Sequence, residues 1–192
     1  MAEVDAGPAP THPLAAPLPA LEERERNVLA ELGRDVDQWV SFQGLRRQLG
    51  VHQQALARVL RRLAEHGLVA HEGKGYHLTT AGHAALRGAG RAPERPVLPV
   101  LQALLPPHVQ PRDVAAQLSR RWFGGLRWYG QSEGPGETSL HWMAGQARVT
   151  VRVAPGSVHL EVEDDGQPAA AAFAAARPVL AALSEIYGAS AS

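Results

Sequence analysis

The sequence predicts an α+β fold in two parts, and three observations support this division. Apolar residues recur at helical spacing in the first half of the 192-residue chain. Between residues 140 and 162 they alternate with polar residues, which is typical of strands with one buried face. Residues 87–99 separate the two patterns and contain three prolines and two glycines, which indicates a linker. We therefore expect a helical domain over residues 21–87, a linker over 88–99 and an α+β domain over 100–192.

Residues 1–20 are rich in alanine and proline without periodicity, so we expect a flexible arm there. This segment lacks the charge and apolar pattern of a secretory signal. No apolar run in the chain approaches the roughly 20 residues that span a bilayer. Cysteine is absent, which excludes disulfides, thiolate zinc sites and cysteine nucleophiles. We expect a cytoplasmic protein without membrane contact.

The first part begins with two predicted helices. Apolar residues recur at helical spacing over residues 21–32, and Gly33 provides a stop. Residues 39–40 can form a short strand. Ser41 then suits the N-cap of a second helix, which ends at Gly50.

The third predicted helix, which begins near His52, has the clearest pattern in the chain. Its apolar residues fall at positions i, i+3, i+4 and i+7, and they are Leu56, Val59, Leu60 and Leu63. One face of this helix is therefore apolar and the other polar. The helix is expected to end at residues 66–67.

A hairpin and a fourth helix complete the first part. Residues 68–70 and 76–78 are strand candidates, and the glycines of segment 71–75 permit a tight reversal between them. Thr79 and Thr80 can cap a helix that runs through residue 86.

The second part starts with predicted helices over residues 100–105 and 111–123. A strand at 126–128 follows, and then a loop over residues 131–138. The chain ends in a helical stretch that Pro178 should kink or split.

The alternating segment predicts three strands joined by two tight turns. One turn begins at Gly145, as a type II′ turn prefers, and the other lies at Pro155 and Gly156. The register then pairs apolar residues only: Trp142 with Val149, Leu140 with Val151, Val151 with Leu160, Val149 with Val162, and Val153 with Val158. The same register sets Arg148 opposite Glu163. With residues 126–128 as a fourth strand, we expect a four-stranded antiparallel sheet with helices on one face.

The polar side of the third helix and the hairpin tip carry candidate DNA-contacting residues. They are Gln53, Gln54, Ala57, Arg58, Arg61, Arg62 and Lys74. Glutamine suits a bidentate contact with adenine, arginine suits guanine or phosphate, and alanine permits close approach to a base. Arg61 and Arg62 lie further along the helix, where phosphate or solvent is the expected partner. The alternative is an amphipathic helix whose arginines are simply solvated.

The distribution of charge favours this region as a nucleic-acid contact. The formal net charge of the chain is zero, which by itself argues against a nucleic-acid-binding protein. Between Val40 and Leu86, however, there are six basic residues and only two acidic ones, so this segment has a net charge of +4.

The first part resembles the winged helix family of bacterial and archaeal regulators, particularly the MarR-like and related types. The resemblance rests on residues 42–51 as helix and turn, 56–62 as the recognition helix, 63–69 at its exit and 76–82 after the hairpin. It implies that the third helix enters the major groove and that the hairpin contacts flanking DNA. By resemblance, these roles carry over to the helix residues Gln53, Gln54, Ala57 and Arg58 and to the hairpin residue Lys74.

These observations predict a transcriptional regulator that binds double-stranded DNA, as a homodimer located with the nucleoid. The second part would dimerise the chain, bind an effector or recruit a protein partner. One rival is a DNA-maintenance or nucleoid-associated protein with little sequence preference. Another is a protein-interaction module that does not bind DNA, since a winged helix does not settle function.

Other sites are weaker candidates. Four histidines lie close together in sequence, at positions 66, 71, 77 and 83, but their spacing is not that of a metal site, and we expect no metal or cofactor. No phosphate loop or nucleophile elbow is present, so we expect no enzyme activity. Polar residues gather on the non-core face of the sheet: Arg127, Tyr129, His141, Arg148, Thr150 and Arg152. That face could bind single-stranded nucleic acid, but we expect a solvated face or a dimer contact. Trp122, Trp128 and Trp142 are expected in the core.

Overall fold

A computed structural model describes residues 21–35, 37–89, 96–145, 147–163 and 169–189. This part of the chain forms an α+β structure with six helices and one eight-stranded antiparallel sheet. The helices are α1 (Glu23–Leu32), α2 (Phe42–Leu49), α3 (Gln53–Glu65), α4 (Thr80–Ala89), α5 (Pro111–Leu118) and α6 (Ala169–Ala189). The strands are β1 (Gln38–Val40), β2 (Val69–Glu72), β3 (Gly75–Leu78), β4 (Val97–Leu104), β5 (Arg127–Gly134), β6 (Glu137–Ala144), β7 (Ala147–Ala154) and β8 (Ser157–Glu163).

One sheet runs through both predicted domains. Its strand order is β2-β3-β1-β5-β6-β7-β8-β4. The short strand β1 joins the two halves, because Val40 pairs with Tyr76 of β3 on one side and with Gly130 of β5 on the other. The domain boundaries stay a prediction, but strands from both sides of the predicted linker belong to this sheet.

The starts of α2 and α4 and the end of α2 lie where the sequence predicts them. The Ser41 hydroxyl accepts a hydrogen bond from the Gly44 N–H (3.0 Å), and Gly50 ends α2 in the left-handed conformation at φ +61°. The Thr79 hydroxyl accepts from the Gly82 N–H (3.1 Å) and begins α4. These caps satisfy backbone groups that the helix itself cannot pair.

The predicted register of β6, β7 and β8 is confirmed. Val149 pairs with Trp142 on one side and with Val162 on the other, and Arg148 pairs with Glu163. Two-residue connections at both turns fix this register, since slipping by one residue would turn every apolar side chain to the other face.

The predicted helix at residues 100–105 is wrong. Residues 100–104 belong to strand β4, which also takes in residues 97–99 of the predicted linker and pairs with β8. Without β4, the backbone groups along β8 would form an unpaired edge. The register shifts between Pro99 and Leu101, and such an irregularity accommodates a proline that has no N–H to donate.

Three further elements differ from the prediction. The predicted loop at residues 131–138 is mostly strand, because β5 and β6 continue to a two-residue turn at Pro135 and Gly136, where glycine adopts φ +75°. Helix α5 ends at Leu118 and not near residue 123. Helix α6 continues through Pro178 without being split.

Two hydrophobic cores lie on opposite faces of the sheet. One packs α5 and α6 against the apolar face of β6–β8, and the other packs α1–α4 against β1 and part of β5. Side chains alternate along β5, so Trp128 lies in the first core and the adjacent Tyr129 in the second, and the register with β6 shifts between Trp128 and Gly130. Trp142 is buried as expected, but Trp122 is 60% exposed, so its predicted core position is wrong.

None of the helices within the described ranges is long and apolar enough to cross a membrane.

Candidate nucleic-acid interface

Helix α3 is fixed to the protein by its apolar face. Leu56, Leu60 and Leu63 are buried in the core formed by α1–α4, and Val59 is half-buried beside them. These positions repeat at helical spacing, so the opposite face is directed away from the protein.

The polar face of α3 is open to solvent. Gln53, Gln54, Ala57, Arg58 and Arg61 are all exposed. No hydrogen bond or ion pair within the described ranges engages the side chains of the two glutamines or of these two arginines. The described residues of the second half do not cover this face, so a large partner can reach it.

Arg62 differs from the other arginines of α3, because it is paired with α1. Its guanidinium donates to Glu22 (2.7 Å) and lies 3.1 Å from Glu25. The hydrogen bond to Glu22 and the charges of both carboxylates raise the pKa of Arg62. Arg62 therefore ties α3 to α1, and its charge is already compensated.

Lys74 lies at the tip of the β2–β3 hairpin, as predicted, but its side chain extends across the sheet. Its ammonium forms an ion pair with Glu133 of β5 and sits 4.7 Å from the centre of the Trp39 ring. A contact between Lys74 and DNA would require this side chain to leave Glu133. The ion pair between Lys74 and Glu133 is exposed, and exposed ion pairs contribute little to stability.

Most of the predicted polar face of the sheet is buried, so the expectation that it is solvated or a dimer contact is wrong for its central part. Tyr129, His141, Arg148 and Thr150 are buried. The segment after α1 contacts them, because Asp35 forms an ion pair with Arg148 and lies 3.6 Å from His141. Of the six residues, only Arg127 is fully exposed and Arg152 is half-buried.

A polar cavity of about 280 Å³ lies beside this covered region. The side chains at its wall are Arg34, Asp35, Val97, Ser132, Glu137, Ser139, His141, Thr150, Arg152, Glu161 and Glu163. The charged groups are paired with one another: Arg34 with Glu163, and Arg152 with Glu161 at 3.0 Å. These ion pairs join the segment after α1 to the sheet, and the four carboxylates at the cavity wall outnumber its two arginines.

His141 is held neutral in this network. Its ring nitrogens lie 3.2 Å from the Ser132 hydroxyl and 3.1 Å from the Thr150 hydroxyl. Burial is the main cause that lowers the pKa of His141 well below its usual value, and the charges of Arg148, Arg152 and Arg34 add to it.

Within the described ranges, no group of three or more histidine, aspartate or glutamate side chains is placed to hold a metal ion. One group of exposed cationic residues, in the connection from α5 to β5, was not predicted from the sequence. The signal was the run Arg120, Arg121 and Trp122 before two glycines, which we assigned in part to a longer α5.

Comparison with known proteins gives a match for the first part of the chain. A family model described as the HVO_A0261 N-terminal domain matches residues 19–96, the segment that contains α1 to α4 and the hairpin. No curated protein matches the chain, and no solved structure does. The first part is thus similar to a defined family of domains.

Proposed function

We propose that residues 21–87 form a winged helix-turn-helix domain and that the protein is a DNA-binding transcriptional regulator. The observation that carries the proposal is the exposed polar face of α3, with Gln53, Gln54, Ala57 and Arg58 at its first turns. Helix α2, the turn at Gly50, helix α3 and the β2–β3 hairpin follow one another in the order that this kind of domain requires. We propose that the protein acts in the cytoplasm, with the nucleoid.

The chemistry of the α3 face fits the edges of base pairs. Glutamine amides can donate to and accept from adenine, and the Arg58 guanidinium can donate two hydrogen bonds to guanine. Arg61 lies further along α3 with no carboxylate partner among the described residues, so it is available to a phosphate. Arg62 is paired with α1, and we assign it a structural role.

We propose that the chain acts as a homodimer through its second part. Strand β4 is one of the two edge strands of the described sheet, and its residues Val97 and Leu104 are among the large apolar side chains left exposed. An edge strand of this kind can pair with its copy. The molecular mass in solution, measured by light scattering, tests this proposal, and a monomeric mass at binding concentrations would contradict it.

The test of DNA binding is fluorescence anisotropy with a duplex selected from random DNA and with a scrambled duplex of equal length. A regulator should prefer the selected duplex by a factor on the order of 10³ or more. A nucleoid-associated protein should bind both duplexes with steep salt dependence and little preference. A protein-interaction module should bind neither.

Arg58→Ala tests the α3 face directly. Loss of a guanidinium that contacts a base costs about 1–3 kcal/mol, so affinity for the selected duplex should fall roughly 5- to 150-fold. The matched control is Arg112→Ala, which removes an exposed arginine from the start of α5. If both variants bind like the wild type, Arg58 does not contact DNA.

A further inference from the structure

The connection between α5 and β5 lies at the same end of the sheet as the hairpin tip. Val40 pairs with Tyr76 and with Gly130, so the turn before β3 and the start of β5 both lie beside the beginning of α2. A direct contact joins them, because the Arg120 guanidinium donates a hydrogen bond to the Gly73 carbonyl. The connection therefore extends the edge of the protein where the hairpin tip is placed.

The backbone of this connection is held in one position. Phe123 and Leu126 are buried and exchange two backbone hydrogen bonds of 3.2 and 2.9 Å. The indole N–H of Trp142 donates to the Arg121 carbonyl (2.8 Å). With its backbone and two apolar side chains anchored, the connection directs its remaining side chains outward.

Four arginines and a tryptophan form what we call the arginine surface: Arg47, Arg120, Arg121, Arg127 and Trp122. Within the described ranges, none of the four guanidinium groups has a carboxylate partner, whereas Arg34, Arg62, Arg148 and Arg152 all do. Arg47, Arg120 and Arg121 donate hydrogen bonds to backbone carbonyls instead. The surface therefore carries uncompensated positive charge.

The arginines of this surface repel one another. Burial is the main cause that lowers the pKa of Arg47, and the charges of Arg127 and Arg46 lower it further. Assembling cations without counter-charges is unfavourable in the isolated protein, and an anionic partner would relieve it.

Trp122 gives the surface a second property. Its side chain is 60% exposed, and the Arg127 guanidinium lies 4.2 Å from its ring centre. An exposed indole stacked on a cation offers an apolar plane beside positive charge, which suits the sugar and phosphate of a nucleic acid. In addition, Arg120 adopts a left-handed conformation at φ +62°, an unfavourable conformation for a residue with a Cβ.

We infer that the arginine surface binds the phosphate backbone of duplex DNA on the flank of the segment read by α3, with Trp122 packed against a deoxyribose. This inference rests on the proposed function, because it extends the same DNA contact along the end of the sheet. The arginine surface would lengthen the footprint and add affinity that does not depend on base sequence.

The test compares a duplex of about one helical turn with one of about two turns, both centred on the selected site. The wild type should bind the longer duplex more tightly. The double variant Arg121→Ala with Arg127→Ala should lose about tenfold in affinity on the longer duplex, and its salt dependence should fall by about two counterions. On the shorter duplex the double variant should match the wild type. Arg112→Ala, at the opposite end of α5, is the matched control and should match the wild type on both.

The outcomes distinguish this inference from the proposed function. If Arg58→Ala weakens binding and the double variant matches the wild type on the longer duplex, the arginine surface does not bind duplex DNA. Equal losses on both duplexes would also overturn the inference, because the effect would not be flanking. If the double variant loses affinity only for single-stranded DNA, the arginine surface binds unpaired nucleic acid and the inference about duplex DNA is wrong. If no duplex binds at any length, both proposals fail together.

Discussion

The junction between the two halves can be tested at Gly130, where β5 lies against β1. A Cβ at this position would lie 2.1 Å from the Trp39 carbonyl oxygen and 3.0 Å from the Val40 Cα. Both neighbours are backbone atoms, so no side-chain rotation can relieve the clash. Gly130→Ala must push β1 away from β5, where three residue pairs join the strands.

The expected cost follows from two effects. Overpacking a tightly packed site costs about 1–3 kcal/mol. Weakening the β1–β5 hydrogen bonds adds about 1 kcal/mol for each bond lost. We expect Gly130→Ala to lower the free energy of unfolding by about 2–4 kcal/mol, which corresponds to a melting temperature lower by roughly 5–15 °C for a chain of this size.

Urea unfolding, followed by circular dichroism, measures this difference. Gly134→Ala is the matched control, because Gly134 lies in the same strand and a Cβ there meets no atom within 4 Å. That variant should be neutral or stabilised by up to about 1 kcal/mol, since alanine restricts the unfolded chain. Equal stability of the two variants would show that β1 does not lie against β5 as described.

Three further predictions concern stability. Arg120→Gly relieves the left-handed backbone but loses a surface hydrogen bond, so the free energy of unfolding should stay equal or rise by up to about 1 kcal/mol, while affinity for the longer duplex falls. A large loss of stability, measured by urea unfolding, would contradict this. His141 has a lowered pKa in the folded protein, so its contribution to stability is complete above about pH 6.5 and is lost as the pH falls below that value. His141→Gln should reduce the slope of stability against pH below 6.5 by about 1.4 kcal/mol per unit, and an unchanged slope would exclude His141 as the cause. Asp35→Ala removes the nearest counter-charge of the buried Arg148 and should cost about 2–4 kcal/mol, whereas Asp113→Ala on the surface should cost less than about 0.5 kcal/mol. Similar melting temperatures for these two variants would show that Arg148 does not depend on Asp35.

The sequence predicts those elements whose signals are local. Ser41 and Thr79 mark helix starts because a side-chain oxygen satisfies an N–H three residues later. The register of β6–β8 is predictable because two-residue turns leave one way to place every apolar side chain on one face. The exposed face of α3 follows from helical periodicity in the same way.

Long-range pairing is what the sequence does not reveal. Residues 97–104 are as apolar as a helix would require, and only the edge of β8 makes them a strand. The ion pair between Asp35 and Arg148 joins residues far apart in sequence, so burial of the polar sheet face could not be foreseen.

The same limit applies at the candidate interface. Exposure of the α3 arginines was predicted, but the carboxylates that bind Arg62 and Lys74 come from α1 and β5. A count of basic residues along the chain therefore overestimates the charge that this face offers to DNA.

The position of β1 between β3 and β5 has a consequence for how the protein can be divided. A fragment that stopped at residue 89 would leave one side of β1 without a hydrogen-bonding partner and would remove Tyr129 and Met143 from the core beneath α1–α4. Such a fragment would be prone to self-association through the bared strand. Helices α1–α4 and the hairpin therefore depend on the second part of the chain for a complete core. A partner that displaced β5 would disturb the core against which α3 packs.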